Sequence, residues 1–138
     1  MLTLINQQYR SDCQIACLRM ICKYYGKDIS TQDIKAKLPK HTFGNTLREL
    51  SEFLHSLGIS NGLYTAFKEE YLDDKPAILE IDFAKIYSAD KGSEPHNLVI
   101  QKTDMGIMVY DPLELKPFIK SFVHLVSLLQ DKTKQKHN

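Results

Sequence analysis

The chain has 138 residues, with 18 lysines and arginines, 17 aspartates and glutamates, and a formal net charge of +1 at pH 7. A chain of this length forms one domain around a single hydrophobic core, and such a core needs neither a metal nor a disulfide to hold it. Nucleic acids and anionic membranes are bound through dense basic surfaces, so the near-neutral charge argues against both as partners. We therefore expect a single domain over residues 1–138, without a cofactor.

The sequence also predicts where the chain is located. No stretch approaches the roughly 18 to 20 apolar residues that a membrane span needs, and residues 1–9 are too short and polar for a signal peptide. Three cysteines crowd into one segment, unlike the spacing of a secreted disulfide framework. These features predict a cytoplasmic domain with reduced thiols and no direct membrane insertion. The lysine-rich segment 131–138 is expected to be a frayed tail.

The first half of the chain is predicted to be helical, because its apolar residues recur with helical spacing. The three predicted helices cover residues 12–25, 30–38 and 45–57. Ser11 or Asp12 can cap the first helix, and Gly26 can end it in a left-handed conformation. Pro39 stops the second helix, and Asn45 is expected to cap the third.

After the third helix the periodicity changes, and short apolar runs bounded by turn residues predict strands. The four runs are residues 59–66, 76–81, 97–101 and 107–110. Gly106 lies between the last two, which predicts an antiparallel hairpin. We expect a surface loop at 82–95 and a terminal amphipathic helix within 113–130, with Phe118 on its apolar stripe. Helices followed by strands indicate an α+β domain with a mostly antiparallel sheet.

Cys13 is the candidate nucleophile. It follows the expected cap residues and would lie in the first turn of a buried helix, where the positive end of the helix dipole stabilises a thiolate. Cys17 and Cys22 lie deeper in the same helix and are expected to be packing residues. Cys13 and Cys17 could also contact a metal as an i, i+4 pair, but no neighbouring Cys or His completes a set with zinc spacing.

A thiolate nucleophile needs an imidazole to move its proton and usually a third group to orient that imidazole. Of the five histidines, only His96 lies at the start of a predicted strand beside a loop. Asp111 follows the partner strand, so the two side chains are expected at the same end of a hairpin, where they can face each other. Spacing alone leaves a catalytic role open, since most proteins contain a Cys, a His and an Asp.

The residues around Cys13 carry a more specific signal. The segment QQYRSDCQIACLRM at 7–20, followed by YYG at 24–26, resembles the opening of the double-glycine leader peptidases. These are papain-like cysteine peptidase domains at the N-terminus of bacteriocin-processing ABC exporters. Three later segments are also similar: PAIL at 76–79 and HNLVI at 96–100 match two of the family's strands, and YDP at 110–112 matches its Asp-Pro. The resemblance covers residues 7–112, which is most of the chain.

The resemblance implies a papain-like fold and a role for each matched residue. Cys13 would be the nucleophile, His96 the general base and then acid, and Asp111 the group that orients the imidazole. Gln7 would complete an oxyanion hole together with the backbone N–H of Cys13, since two such donors suit a tetrahedral oxyanion. The neighbouring Asp12 is better explained as a helix cap.

The resemblance also implies a substrate and partners. The substrate would be a precursor peptide whose leader ends in two small residues, usually Gly-Gly, with apolar residues of a leader helix in a shallow groove. Tyr64, Phe67 and Tyr71 could line such a groove, but clustered aromatics are more often core residues. The partners implied are the membrane and ATPase parts of an ABC exporter.

Two features depart from the family pattern. Gln14 stands where the family has Gly and could obstruct the cleft beside the nucleophile, and no Trp follows the Asp-Pro motif at Asp111. These departures leave two alternatives open: a domain of the same fold that binds a leader or partner without cutting it, and a papain-like amidase or peptidase of another specificity. Because Cys13, His96, Asp111 and Gln7 are all present, we favour a leader-processing cysteine endopeptidase.

Overall fold

The computed structural model describes residues 2–9, 12–41, 44–87 and 94–129. Its helices are α1 (Cys13–Tyr24), α2 (Thr31–Lys37), α3 (Leu47–Ser56), α4 (Phe83–Tyr87) and α5 (Phe122–Ser127), with a 3-10 turn at Glu69–Tyr71. Its strands are β1 (Ala77–Asp82), β2 (Pro95–Thr103), β3 (Gly106–Tyr110) and β4 (Phe118–Lys120). The strands form one antiparallel sheet in the order β1-β2-β3-β4. The predicted α+β class is confirmed.

Helix α1 is the central helix, and seven of its twelve residues are buried. Gly26 follows it with a φ of +82°, a left-handed conformation that glycine adopts without strain. The expected capping by Asp12 is wrong. Asp12 occupies the cap position, but its side chain makes no capping hydrogen bond and instead lies 3.2 Å from Lys35 Nζ. The alternative cap, Ser11, lies outside the described residues.

Helices α2 and α3 both begin at a side-chain cap. Ser30 caps α2 by accepting a hydrogen bond from the backbone N–H three residues further on. Thr46 caps α3, so the expected cap at Asn45 is wrong by one residue. The Thr46 hydroxyl accepts from Glu49 N at 3.1 Å, and the Glu49 carboxylate accepts from Thr46 N at 3.0 Å, which forms a capping box. The Asn45 amide instead donates to the carbonyl of Pro39.

Three of the four predicted strands are confirmed, with slightly different ends, and the strand predicted at 59–66 is wrong. That segment is mostly exposed and irregular beyond Ile59. The side chain of Asn61 explains this, because it donates to the carbonyls of Ser51 and Ile59 and accepts from the Ser51 hydroxyl. The bond to the Ile59 carbonyl satisfies a backbone group that a sheet partner would otherwise satisfy, and the bonds to Ser51 hold the segment on α3.

The hairpin between β2 and β3 is confirmed. Thr103 pairs with Gly106 at its tip, and the Thr103 hydroxyl donates to the Gly106 carbonyl at 2.8 Å. On the other side of β2, the register sets His96 opposite Ile81 and Ile100 opposite Ala77. The open end of the hairpin therefore carries both the beginning of β2 and the residues that follow β3.

Two predictions near these strands are wrong. The segment 82–95, predicted as a loop, contains α4, because Asp82 Oδ1 accepts from the backbone N–H of Ala84 and starts a helical turn; residues 88–93 lie outside the described residues. The helix predicted within 113–130 is shorter. Phe118–Lys120 pairs with β3, and Ser121 then caps α5 by accepting from His124 N. The tail at 131–138 also lies outside the described residues.

The two faces of the sheet bury two core clusters. Val99 points toward α1, and its neighbours Leu98 and Ile100 point to the opposite face, as strand alternation requires. The second face is covered by α5 through Leu125 and by Leu129. Within the four described ranges, no helix is long and apolar enough to cross a membrane.

Candidate active site

Cys13 is the first residue of α1 and is partly exposed, whereas Cys17 and Cys22 are completely buried. Burial raises the pKa of Cys17 well above its ordinary value, and the negative charges of Cys13 and Asp111 raise it further. Cys17 therefore stays a neutral thiol inside the core. Only Cys13 among the three combines access to solvent with a helix N-terminus.

His96 faces Asp111, as the hairpin geometry predicts, and Cys13 lies close to His96. His96 Nε2 is 2.8 Å from Asp111 Oδ1, and the two side chains are 3% and 0% exposed. Burial lowers the pKa of His96, but hydrogen bonds with Asp111 and Cys13 and the charges of both raise it more, to about 9. Because Nε2 contacts the carboxylate, Nδ1 is the ring nitrogen that remains for the Cys13 sulfur.

The Asp111 carboxylate is fully buried and receives three hydrogen bonds. Oδ1 accepts from His96 and from the backbone N–H of Leu113 at 3.0 Å, and Oδ2 accepts from the Tyr87 hydroxyl at 2.6 Å. Burial raises the pKa of Asp111, but these donors, His96 first, lower it below its usual value. The group is therefore held as a carboxylate facing the imidazole.

Two aromatic residues of α4 enclose the imidazole, and neither is among the site residues that the sequence predicts. The rings of Phe83 and Tyr87 approach the His96 ring edge-on, with centroids at 5.7 and 5.9 Å. Burial raises the pKa of Tyr87, and its hydrogen bond to Asp111 raises it further, so its hydroxyl remains a donor. Their spacing of four residues, typical of one face of a helix, was the available signal.

Gln7 lies near Asp111 in the fold, but its amide is engaged elsewhere. Its backbone N–H donates to the carbonyl of Pro112 at 3.2 Å, and the neighbouring Asn6 amide donates to the same carbonyl at 2.9 Å. These bonds fix the segment before α1 on the Asp-Pro turn. The Gln7 amide Nε2 donates to the carbonyl of Tyr9 at 2.8 Å. The structure thus pairs His96 with Asp111, places Cys13 close enough to raise the pKa of His96, and holds one N–H of the Gln7 amide on its own segment.

Gln14 does not hang freely beside the nucleophile. Its amide is hydrogen-bonded to both backbone polar groups of Asn45, in the loop before α3. The obstruction expected from a long side chain next to Cys13 is therefore limited, because the amide group is held on this loop.

A cavity of about 580 Å³ lies between α1, α3 and β1. Its lining is mostly apolar and includes the three aromatics Tyr64, Phe67 and Tyr71. The rings of Tyr64 and Tyr71 stack with centroids 4.2 Å apart, and both side chains are exposed. Tyr64 and Tyr71 are therefore surface groups at a concave apolar site, whereas Phe67 packs against the second core cluster.

The cavity lies a short distance from His96 along β2 and from Cys13 along α1. Ile100, in its lining, lies four residues along β2 from His96, which is about 13 Å at the usual rise of a strand. Ile21, also in its lining, lies eight residues along α1 from Cys13, which is about 12 Å at the rise of a helix. Within the described ranges, no group of three or more His, Cys, Asp or Glu side chains could hold a metal ion.

Comparison with known proteins identifies a family for the chain. A family model described as the Peptidase C39 family matches residues 2–127, which include Cys13, His96 and Asp111. No curated protein matches the chain. The family match confirms both the resemblance to the double-glycine leader peptidases and the papain-like fold that the resemblance implied.

Proposed function

The chain belongs to the Peptidase C39 family of cysteine peptidases, and from this premise we propose that it cleaves peptide precursors after a double-glycine-type leader. The proposal is supported by one arrangement: His96 is hydrogen-bonded to Asp111, and Cys13 Sγ lies 4.0 Å from Oδ1 of Asn97, the residue after His96 in β2. Cys13 is also close enough to raise the pKa of His96, and such a set of side chains can activate a thiol in the papain manner.

The first half of the reaction forms a thioester. With a pKa of about 9, His96 is protonated at pH 7 and holds the proton of the Cys13 thiol, while Asp111 stabilises the imidazolium. The Cys13 thiolate attacks the carbonyl carbon of the last leader residue, and a C–S bond forms as the carbonyl electron pair moves to oxygen. Collapse of this tetrahedral species breaks the C–N bond, and His96 gives its proton to the leaving amine.

The second half releases the leader. His96, now neutral, takes a proton from water, and the hydroxide oxygen attacks the thioester carbonyl. The C–S bond breaks, the leader leaves as a carboxylic acid, and the imidazole is protonated again beside the Cys13 thiolate. Asp111 holds the ring in one orientation throughout and does not exchange a proton.

Both tetrahedral species carry a negative oxygen that needs donors. The backbone N–H of Cys13 is suited to this, because the first N–H groups of a helix have no acceptor within the helix. The Gln7 Nε2 carries two N–H groups, and one of them donates to the Tyr9 carbonyl, so to serve as the second donor the amide must turn its other N–H toward the oxyanion. The same bond favours the alternative function, a domain that holds a leader without cutting it.

The apolar cavity supports a leader as the substrate. An extended peptide advances about 3.3 Å per residue, so roughly four residues span the distance from Cys13 to the cavity. Small residues next to the cut would pass through the cleft, and apolar residues further upstream would reach Tyr64 and Tyr71. From the family resemblance we further propose that the chain acts in the cytoplasm, in peptide maturation with an ABC exporter.

The test is cleavage of a synthetic precursor with a Gly-Gly leader, read by mass spectrometry. We expect one cut after the second glycine, no cut with Cys13→Ala, and an unchanged cut with Cys22→Ala, which removes a buried thiol away from the site. Replacing the second glycine by valine is expected to abolish cleavage. If the wild-type protein binds the precursor but does not cleave it, the proposed peptidase activity is refuted and the alternative role as a leader-binding domain is supported.

A further inference from the structure

Asn97 lies next to His96 in β2, and its side chain is directed at the nucleophile. Strand alternation places it on the same face as Val99, which packs against α1. The side chain is 2% exposed, and its Oδ1 lies 4.0 Å from Cys13 Sγ, within reach of a weak hydrogen bond from the thiol. Cys13 Sγ therefore has a polar neighbour from β2 in addition to His96.

The other end of the same amide has no such contact. Asn97 Nδ2 is buried and finds no hydrogen-bond partner among the described residues. A buried donor without an acceptor costs free energy, and a leucine, which has the same branching with methyl groups in place of the amide atoms, would avoid that cost. Packing alone therefore does not explain an asparagine at this position.

We propose that Asn97 is a positioning residue that hydrogen-bonds the Cys13 sulfur in both of its protonation states. While Cys13 is a thiol, its S–H donates to Oδ1. When the proton has moved to His96, the sulfur can only accept, and half a turn about the Cβ–Cγ bond brings Nδ2–H to the thiolate. The donor that is unpaired in one state is thereby used in the other, and Asn97 itself neither gains nor loses a proton.

This inference rests on the proposed function, because it requires Cys13 to ionise through His96, but it adds a separate effect. His96 and Asp111 determine where the proton goes, whereas Asn97 acts on the sulfur that loses it. Hydrogen bonds to a charged group are roughly twice as strong as neutral ones, so the thiolate gains more from Asn97 than the thiol does. Asn97 should therefore increase the thiolate fraction at neutral pH.

The test is the rate of Cys13 alkylation by iodoacetamide as a function of pH, which needs no peptide substrate. Peptide mapping separates Cys13 from the buried Cys17 and Cys22. With Asn97→Leu, we expect the midpoint of the rate profile to move up by about one pH unit, the size of one charge-assisted hydrogen bond. The titratable groups around the sulfur, His96, Asp111 and Cys17, are unchanged in this variant.

Val99→Ala is the matched control, since it loosens the same face of β2 without touching the sulfur. It should lower the melting temperature and leave the alkylation midpoint unchanged. An unchanged midpoint in Asn97→Leu, or an equal shift in Val99→Ala, would overturn the inference. Should Asn97→Leu fail to fold, Asn97→Ala takes its place, with the same expected direction.

A further arm separates this inference from the proposed function. His96→Ala is expected to move the alkylation midpoint much further than Asn97→Leu does. If His96→Ala has no effect, Cys13 is not paired with His96 and the proposed function fails along with the inference. If His96→Ala shifts the midpoint and Asn97→Leu does not, only the role of Asn97 is refuted.

Discussion

The Tyr87 hydroxyl donates a 2.6 Å hydrogen bond to Asp111 Oδ2, on the carboxylate oxygen that His96 does not contact. Each oxygen of this buried carboxylate therefore has its own side-chain donor, which fixes the plane of the group. The same Tyr87 ring stands edge-on to the imidazole. Tyr87 thus positions both members of the pair that would handle the proton of Cys13.

Tyr87→Phe removes this donor and keeps the ring. We expect the free energy of unfolding to fall by about 1.5 to 3 kcal/mol, the usual contribution of a hydrogen bond to a charged group. Precursor cleavage should lose roughly tenfold in kcat with little change in KM, because the imidazole becomes less well oriented. Steady-state kinetics and urea unfolding measure both effects.

Tyr24→Phe is the control for that variant, since Tyr24 lies at the far end of α1 and lines neither the site nor the cavity. It should retain wild-type kcat. If Tyr87→Phe and Tyr24→Phe have equal kcat, Tyr87 has no positioning role.

Asp111→Asn tests the cause of the raised His96 pKa. The substitution removes the charge and keeps the shape, so burial and the Cys13 contact remain. We expect the pKa of His96 to fall well below about 9, because its strongest favourable partner is lost. The imidazole C–H resonances in an NMR pH titration report this directly, and kcat/KM should fall by about a hundredfold or more. A His96 pKa still near 9 would refute the role of the carboxylate.

The raised pKa of His96 also makes stability depend on pH. The folded-state pKa of about 9 lies above the ordinary value of 6.5, so protonated His96 stabilises the fold. That contribution is fully present below pH 6.5 and is lost as the pH rises through 9. Its size is roughly 3 kcal/mol, because each factor of ten in a protonation equilibrium corresponds to about 1.4 kcal/mol.

Urea unfolding of the wild-type protein and His96→Gln between pH 6 and 10 measures this contribution. The difference in unfolding free energy between the two should shrink with rising pH, and kcat/KM of the wild type should fall along an alkaline limb near pH 9. A difference that is constant over this range would contradict a coupled His96.

Periodicity and strand pairing were sufficient to predict where the candidate site residues lie in the fold. His96 and Asp111 meet because each lies at the open end of one antiparallel hairpin, which the turn at Gly106 made predictable. The first turn of a buried helix makes Cys13 the candidate nucleophile, and the catalytic roles of the three residues are what the family resemblance implies. The α+β class follows from the change from helical spacing to short apolar runs, and none of these features needs a contact between distant side chains to be known first.

The features that the sequence did not predict depend on such contacts. The sequence predicts a loop around Tyr87, because the five-residue helix that carries it offers a single four-residue spacing, from Phe83 to Tyr87, and no longer periodicity. Asn97 looked like an ordinary strand residue until the packing of β2 on α1 placed it against Cys13 Sγ. The spacing of Phe118 is compatible with a helix or a strand, and it lies in a strand because it pairs with Val109 of β3.

The side chain of Gln14 connects α1 to the loop before α3 through Asn45. Its Nε2 donates to the carbonyl of Asn45 at 2.6 Å, and its Oε1 accepts from Asn45 N at 2.9 Å, so the amide is hydrogen-bonded to both backbone polar groups of that residue. Gly44, with a φ of +88°, makes room for this approach, because a Cβ there would lie 3.2 Å from Oε1. The start of α1 is thereby tied to the start of α3.

Gln14→Gly, the family's residue, should therefore lower the free energy of unfolding by about 2 to 4 kcal/mol, from two lost hydrogen bonds and the lower helix propensity of glycine. Gln14→Glu is the matched control of side-chain length: it keeps the acceptor for Asn45 N but faces the Asn45 carbonyl with an oxygen, so it too should be destabilised. If Gln14 also narrows the cleft, the Gln14→Gly variant should accept a leader that ends in Gly-Ala more readily. The cleavage rate with this leader, divided by the rate with a Gly-Gly leader, should then be higher for the variant than for the wild type. An unchanged preference, with stability lost as expected, would restrict Gln14 to joining the two helices.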